Sequence, residues 1–264
     1  MPKTKDFSLF SGAFFEDPAS FKYAPHLQDF KYSWEVLPQL ESILNRILTD
    51  KKKDAVAQWQ GIDASSNGVF VQGWVELDRP VFFESARVWL DAGVLLEPTA
   101  IIKGPAVIGA HTSVRQGAYI RGNALIGEHC VIGHATELKN SIIMNHSEAG
   151  HFNYIGDSIL GSHVNMGAGS RLANLQFRTA EEKLGGFIHP IEFESGNHKI
   201  QTQVEKLGSL LGDHAELGCN VTLCPGTLLG RRSWVYPNTT VSKGFYPPKS
   251  FIVPKERKTK IQDQ

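Results

Sequence analysis

The stretch EAGHFNYIGDS places His151 directly after Gly150 and three residues before Tyr154. An imidazole is the side chain best poised to accept a proton near neutral pH. The glycine allows close backbone approach, and the phenol offers an orienting or substrate-binding hydroxyl. With ten histidines in the chain, a merely solvated loop histidine is the competing reading. Arg121 and Lys139 form a second pair, eighteen residues apart; a phosphate can neutralise both through charge-assisted bonds. Glu137 offers a plain salt bridge instead, and charge alone slightly favours that reading. Asn165 and Asn174 add neutral donors, or serve as turn residues.

The elements that must position these groups are legible in a repeat. Ile102, Ile108, Val114, Ile120, Ile126, Ile132 and Leu138 recur every six residues, as do Leu211, Leu217, Leu223, Leu229, Val235 and Val241. Four positions after most of them comes a small or β-branched residue, such as Ala106, Thr112, Ala118 and Thr136. Neither a helix nor a simple strand sustains a period of six. A short strand plus a tight turn does: three units close a triangular coil of eighteen residues, and coils stack into a solenoid. The aliphatic and the small residue then both point inward, and the glycines that often follow the aliphatic, Gly109 and Gly133 among them, are expected to turn the chain. One coil apart, Arg121 and Lys139 stack at about 5 Å. The repeat is expected to be lost between Ile143 and Ile155, an active-site excursion carrying His151, and again between Leu172 and Leu211, where GGFIHPIEF and HKIQTQV flank ESGN as a β-hairpin arm.

Three domains are expected: residues 1–68, an irregular segment and a helix; 69–244, the solenoid with an inserted arm at 177–205; and 245–264, an extended, partly mobile tail. The helix lies within 33–54, with a possible Ser33 cap, an apolar face of Leu37, Leu40, Leu44, Ile47 and Leu48 docked on the first coils, and a closing lysine run. The 264 residues carry 27 basic and 27 acidic side chains, so no global field favours nucleic acid or an acidic membrane, and any anion site is local. Cys130, Cys219 and Cys224 are read as packed thiols of a reducing compartment. Without a leader-like or membrane-length apolar run, a cytoplasmic chain is expected.

The motifs ELKNS, EAGHFNYIGDS and VNMGAGSRLANLQF resemble the acetyltransferase domain of the bifunctional glucosamine-1-phosphate N-acetyltransferase/UDP-N-acetylglucosamine pyrophosphorylase family. KLGSLLGDHAELGCNVTLCPGTLLG is similar to its archaeal-type relatives. The resemblance, over about residues 95–245, implies an all-β, left-handed parallel β-helix. It places the sugar phosphate on Arg121 and Lys139 with Lys206, the base on His151, sugar contacts on Tyr154 and Asn165, a further active-site asparagine on Asn174, and coenzyme A along Ala168, Cys219 and Pro237, Cys219 as a buried thiol rather than a nucleophile. It implies acetyl-CoA as co-substrate, no metal, and direct attack of the sugar amine on the thioester. A homotrimer is expected, with sites between neighbouring solenoids. The acceptor implied is an amino-sugar 1-phosphate, glucosamine-1-phosphate foremost, for UDP-N-acetylglucosamine and cell-envelope precursors. Another amino sugar, a nucleotide-linked sugar or a non-catalytic sugar-phosphate scaffold are the alternatives. Leu175 stands where a tyrosine is common, the 177–205 arm replaces a short loop, and no Gly-rich nucleotide loop occurs in residues 1–95, so uridylylation is expected from a separate protein.

Overall fold

The computed structural model describes residues 11–28, 30–51, 58–195 and 198–254. Each hexad is a two- to four-residue strand followed by a corner, and successive coils lay their strands in register. Three nine-stranded sheets result, forming the faces of a parallel β-helix. Face I carries Ile101–Ile102, Tyr119–Ile120, Glu137–Lys139, Tyr154–Gly156, Arg171–Leu172, Thr222–Leu223 and Thr240–Val241. Face II includes Val88–Leu90, Ala106–Ile108, Ala124–Ile126 and Ser141–Ile143; face III includes Ser113–Val114, Val131–His134, Glu148–His151 and Asn165–Met166. Within the three faces, strands from Val88 onward pair with one another in parallel, whereas antiparallel pairs among residues 62–102 start the stack. The hexad aliphatics Ile102, Ile120, Leu138 and their equivalents are fully buried along the axis, with Ala106, Thr112 and Thr136 beside them.

Most corners pass through a left-handed residue. Between faces II and III this position is held by His111, His129, His146, His163 and His214, with φ from 55° to 59°. Their rings stack with centroids 4.7 to 5.0 Å apart. The hexad glycines are therefore not the left-handed turn residues: Gly109 and Gly133 are absent from the positive-φ positions. They are small because coils approach closely there, a Cβ at Gly133 running into the backbone of Gly150.

The coils are not all eighteen residues long. Ile102 pairs with Ile120 and Ile120 with Leu138, steps of eighteen; Leu138 pairs with Ile155 and Ile155 with Leu172, steps of seventeen. The missing residue lies at the corner from face I to face II, where Ile120 to Ala124 is four positions but Leu138 to Ser141 is three. The expected excursion between Ile143 and Ile155 does not exist. Ile143, Ala149 and Ile155 keep the six-residue step on three successive faces. The aliphatic pattern lapsed because Ala149 occupies an axial position and the preceding corner is one residue short.

Face II presents apolar residues outward as well as inward: Val107, Leu125, Ile142, Ile159, Leu210 and Leu228 are buried in a second core. The expected helix, α1 (Val36–Lys51), closes this face with its Leu37, Leu40, Leu44, Ile47 and Leu48 stripe, joined by Phe14, Phe21 and Trp34. Ser33 is not its cap; it is buried in a preceding 3-10 turn with its hydroxyl unbonded. Of the lysine run, Lys52 and Lys53 lie outside the described residues. The second interruption holds a helix that hydrophobic pattern did not reveal, α2 (Ala180–Gly185), and the expected hairpin, Glu192–Ser195 with His198–Gln201. A reciprocal capping box of Thr179 and Glu182 starts α2. The hairpin folds back onto the second core, Phe193 meeting Trp34 edge to face at 5.7 Å. The solenoid also continues past the expected boundary at 244: Gly244–Tyr246 and Phe251–Ile252 extend faces II and III because Phe245 and Ile252 still have partners to cover. Residues 255–264 of the expected tail lie outside the described residues.

Candidate active site

The pairing of Ile120 with Leu138 puts Arg121 and Lys139 in register at the edge of face I. Each has a carboxylate. Arg121 Nη1 lies 2.7 Å from Glu137 Oε1 and Lys139 Nζ lies 3.5 Å from Asp157 Oδ2. The Glu137 bond raises the Arg121 pKa further. The Arg121 pair is exposed, 44% and 38%, and such pairs contribute about 0–1 kcal/mol, so an incoming anion displaces Glu137 at little cost.

Asp157 is different in kind. Its side chain is only 7% exposed, and it is the hub of the site. Asn140 Nδ2 donates to Oδ1 at 2.7 Å and Asn174 Nδ2 donates to Oδ2. The Tyr154 hydroxyl in turn donates to Asn174 Oδ1 at 3.3 Å. Burial, then the charges of Glu137 and Asp157, push the Tyr154 phenol above its ordinary value, so it stays a neutral donor. Gly156 has no side chain because this pair lies on it; a Cβ there would sit 2.7 Å from the Tyr154 hydroxyl. The short corner brings Asn140 and Asp157 together, since each is the single left-handed residue of its corner from face I to face II, whereas the same corner of the coil before uses both Gly122 and Asn123.

The arm leaves this same corner after Leu172 and returns through Lys206. Its return is pinned by Leu207 N donating to the Asn174 carbonyl (3.2 Å) and Gly208 N to the Asp157 carbonyl (2.8 Å). Lys206 thereby joins Arg87, Arg121, Lys139 and Asp157 around a cavity of about 560 Å³ whose far wall is α1, including Glu41. No acidic group lies within salt-bridge distance of Lys206 among the described residues, whereas Arg87 Nη1 meets Glu41 Oε1 at 3.2 Å. Asp157, Asn140, Arg87 and Glu41 were not singled out in the sequence. The one signal was Asp157 and Asn140 seventeen residues apart, just after the residues at the end of a face I strand.

His151 lies at the other edge of face I, at the end of a regular strand paired with His134. It is exposed, its N–H donating to Asn153 Oδ1 (3.1 Å) and its carbonyl accepting from Gly169. Ala168, Cys219 and Pro237 fall on the same corner in succeeding coils: Asn220 N bonds the Ala168 carbonyl and Asn238 N the Cys219 carbonyl, both at 2.8 Å. Base and coenzyme candidates thus share one groove edge. Cys219 is exposed, not a buried thiol, because this corner faces outward; Cys130 alone is buried and Cys224 half-buried. Asn165 stands apart from this group. It lies on face III, its Nδ2 donating to Glu216 Oε2 at 2.9 Å. Among the described residues no group of three His, Cys, Asp or Glu side chains is arranged to hold a metal, and no helix is long and apolar enough to cross a membrane.

Residues 102–261 match the family described as "GMPPB C-terminal domain". A "Bifunctional sugar-1-phosphate nucleotidylyltransferase/acetyltransferase" of Sulfurisphaera tokodaii is 30% identical over 219 residues, 78% of this chain and 52% of that protein. A "Bifunctional protein GlmU" of Methanococcus aeolicus is 32% identical over 139 residues, 53% of this chain and 31% of that one. This chain therefore spans about half or less of the length of these curated relatives. A solved structure of Francisella novicida UDP-N-acetylglucosamine acyltransferase superposes with a TM-score of 0.32 at 16% identity, covering 66% of this chain and 64% of the other. The family match takes in most of the coils that carry the cavity and the His151 corner, and this chain belongs to the GMPPB C-terminal domain family.

Proposed function

We propose that the protein is an acetyl-CoA-dependent N-acetyltransferase acting on an amino-sugar 1-phosphate, glucosamine-1-phosphate in the first instance. The observation that carries this reading is the layout along face I, a polar network at one edge and His151 at the other. Arg121 and Lys139 stack at one edge of face I, Lys139 joins Tyr154 through Asp157 and Asn174, and His151 stands at the other edge. The strand between, Tyr154–Gly156, is about 10 Å long, a span suited to a hexose whose 1-phosphate is held at the cation edge. The name of the Sulfurisphaera tokodaii relative, which couples a sugar-1-phosphate nucleotidylyltransferase with an acetyltransferase, supports this class of acceptor.

In this mechanism the acceptor amine attacks the thioester carbonyl. His151 accepts the proton as the C–N bond forms, then returns it to the departing coenzyme A thiolate. A backbone or polar donor at the His151 edge stabilises the oxyanion, while Asn174, bonded to Asp157 at the cation edge, holds the Tyr154 hydroxyl. Tyr154 orients the sugar as a neutral donor. Coenzyme A follows the corner of Ala168, Cys219 and Pro237, and a second copy in a cyclic trimer covers that exposed groove. Following free thiol from acetyl-CoA with glucosamine-1-phosphate, galactosamine-1-phosphate and unphosphorylated glucosamine tests this. Acceptor-dependent release with a phosphorylated sugar is expected. Absence of release with every acceptor overturns the enzyme, and equal rates without the phosphate overturn the role of Arg121 and Lys139.

A further inference from the structure

The cation cavity extends well beyond the space a single phosphate at Arg121 and Lys139 occupies. It runs along the corner from face I to face II, where each coil adds about 4.8 Å. Lys139, Asn140, Asp157 and Lys206 lie at one end, Arg121 and Asn123 in the middle, and Arg87 with Glu41 of α1 at the other. Corner hydrogen bonds fix that order: Ala124 N donates to the Pro105 carbonyl and Ala106 N to the Arg87 carbonyl, so Arg87 lies two coils, about 10 Å, from the Arg121 level. Two extended arginine side chains are together long enough to span that gap.

The far end is built by parts of the chain that lie outside the family match. Residues 102–261 supply Arg121, Lys139 and Lys206, while Arg87 and α1 precede them. Arg87 is held with φ 55° at its corner. Its guanidinium is steered by α1, meeting Glu41 Oε1 at 3.2 Å and Asn45 Oδ1 at 3.4 Å. The guanidinium has five N–H donors, and this exposed pair with Glu41, 48% and 53% accessible, gives way to a stronger anion at little cost.

We propose that Arg87 builds a second phosphate subsite, so that the cavity takes an amino sugar carried on a diphosphate, of the nucleoside diphosphate-sugar class. The sugar-proximal phosphate sits at Arg121 and Lys139, and the distal phosphate at Arg87 after Glu41 is displaced. The nucleoside then lies against the outward edge of α1, where Pro38 is exposed. This rests on the phosphate role given above to Arg121 and Lys139.

The test is calorimetric titration of the full chain with inorganic phosphate and with pyrophosphate, then with glucosamine-1-phosphate and UDP-glucosamine. Pyrophosphate should bind about tenfold or more tighter than phosphate, the ratio for one added charge-assisted contact of about 1.4 kcal/mol. Arg87→Ala should bring that ratio to about one while leaving phosphate affinity unchanged, and UDP-glucosamine should lose the same factor relative to glucosamine-1-phosphate. Glu41→Gln, which removes the competing carboxylate, should raise pyrophosphate affinity with no gain for phosphate. Equal affinity for phosphate and pyrophosphate, or a preference that survives Arg87→Ala in a folded protein, overturns the second subsite. Phosphate binding insensitive to Arg121→Ala overturns the underlying reading instead.

Discussion

Acidification should destabilise this solenoid through its column of stacked imidazoles, and the geometry sets the size of the effect. His111, His129, His146, His163 and His214 make four consecutive contacts at 4.9, 5.0, 4.7 and 4.8 Å. Two unit charges 5 Å apart repel by about 0.8 kcal/mol in a medium as polar as water. Four adjacent repulsions in a fully charged column therefore amount to about 3 kcal/mol. The facing acids offset part of this. Glu128 acts on His146, and Glu16 Oε2 lies 3.8 Å from His214 Nε2, but Glu16 is already committed to Arg232 and Arg231, which hold its carboxyl near 2. Asp17 and Asp213 border the same cleft, and Arg232 continues the column with positive charge. The His146 imidazole is pushed below its ordinary value by desolvation first, then by His163 and His129. A folded-state value below the unfolded one means the unfolded chain binds more protons between the two, so this stability is present above about pH 6.5 and is lost as pH falls through the folded value. Burial pushes the Asp213 carboxyl up, an effect of opposite sign confined to the carboxylate range, so the comparison belongs between pH 7.5 and 5.5. Thermal unfolding followed by near-UV circular dichroism should show Tm falling across that window, up to about 6–12 °C for the full 3 kcal/mol. His146→Asn keeps a residue tolerant of the left-handed corner, as Asn220 and Asn238 show, and cuts the four contacts to two, so it should halve the slope. A flat Tm in wild type, or an unchanged slope in the variant, refutes the reasoning.

His151→Ala should lower kcat by about 10²–10⁴-fold, the usual weight of a positioned base, while calorimetry still registers glucosamine-1-phosphate; retained turnover would place the base elsewhere. Asp157→Asn should leave Lys139 without its counter-charge and set two amide N–H groups against each other, costing about 1–3 kcal/mol in urea unfolding; an unshifted midpoint would deny the hub its role. A thiol reagent on native protein should spare Cys130, whose thiol burial pushes up to about 12; rapid reaction of Cys130 would contradict its packing. Gly133→Ala should cost at least the ~1–3 kcal/mol of ordinary overpacking, because its methyl runs into the Gly150 backbone, and a neutral Tm would refute that contact.

Much of this architecture was legible because a six-residue period admits few alternatives. Ile102, Ile120 and Leu138 could be read as stacked before any coordinates, and with them the register of Arg121 on Lys139. The α1 stripe was equally plain, since Leu37, Leu40, Leu44, Ile47 and Leu48 share one face at helical spacing. What failed was a fixed step carried across a corner that had lost a residue: with alanine at 149 the pattern dissolved, and a regular coil was mistaken for an excursion. Asp157 was missed for a related reason. Its importance comes from Lys139, Asn140 and Asn174 converging on it, and that convergence depends on corner geometry and on where a long arm returns. α2 announced itself only through Thr179 and Glu182, a local signal that hydrophobic spacing does not carry.

The shortened corner also bears on how such a chain can be rebuilt. Coils of a solenoid touch only their neighbours, which makes them exchangeable bricks for grafting and for lengthening the stack. The bricks bearing Asn140 and Asp157 are cut to a different length from their eighteen-residue neighbours, while all three faces still meet flush. A designer who transplants these coils must therefore carry the shortened edge with them. One residue inserted after Lys139 would keep the hydrophobic stack intact and move the polar corner outward, a way to separate the scaffold's durability from the work done at its edge.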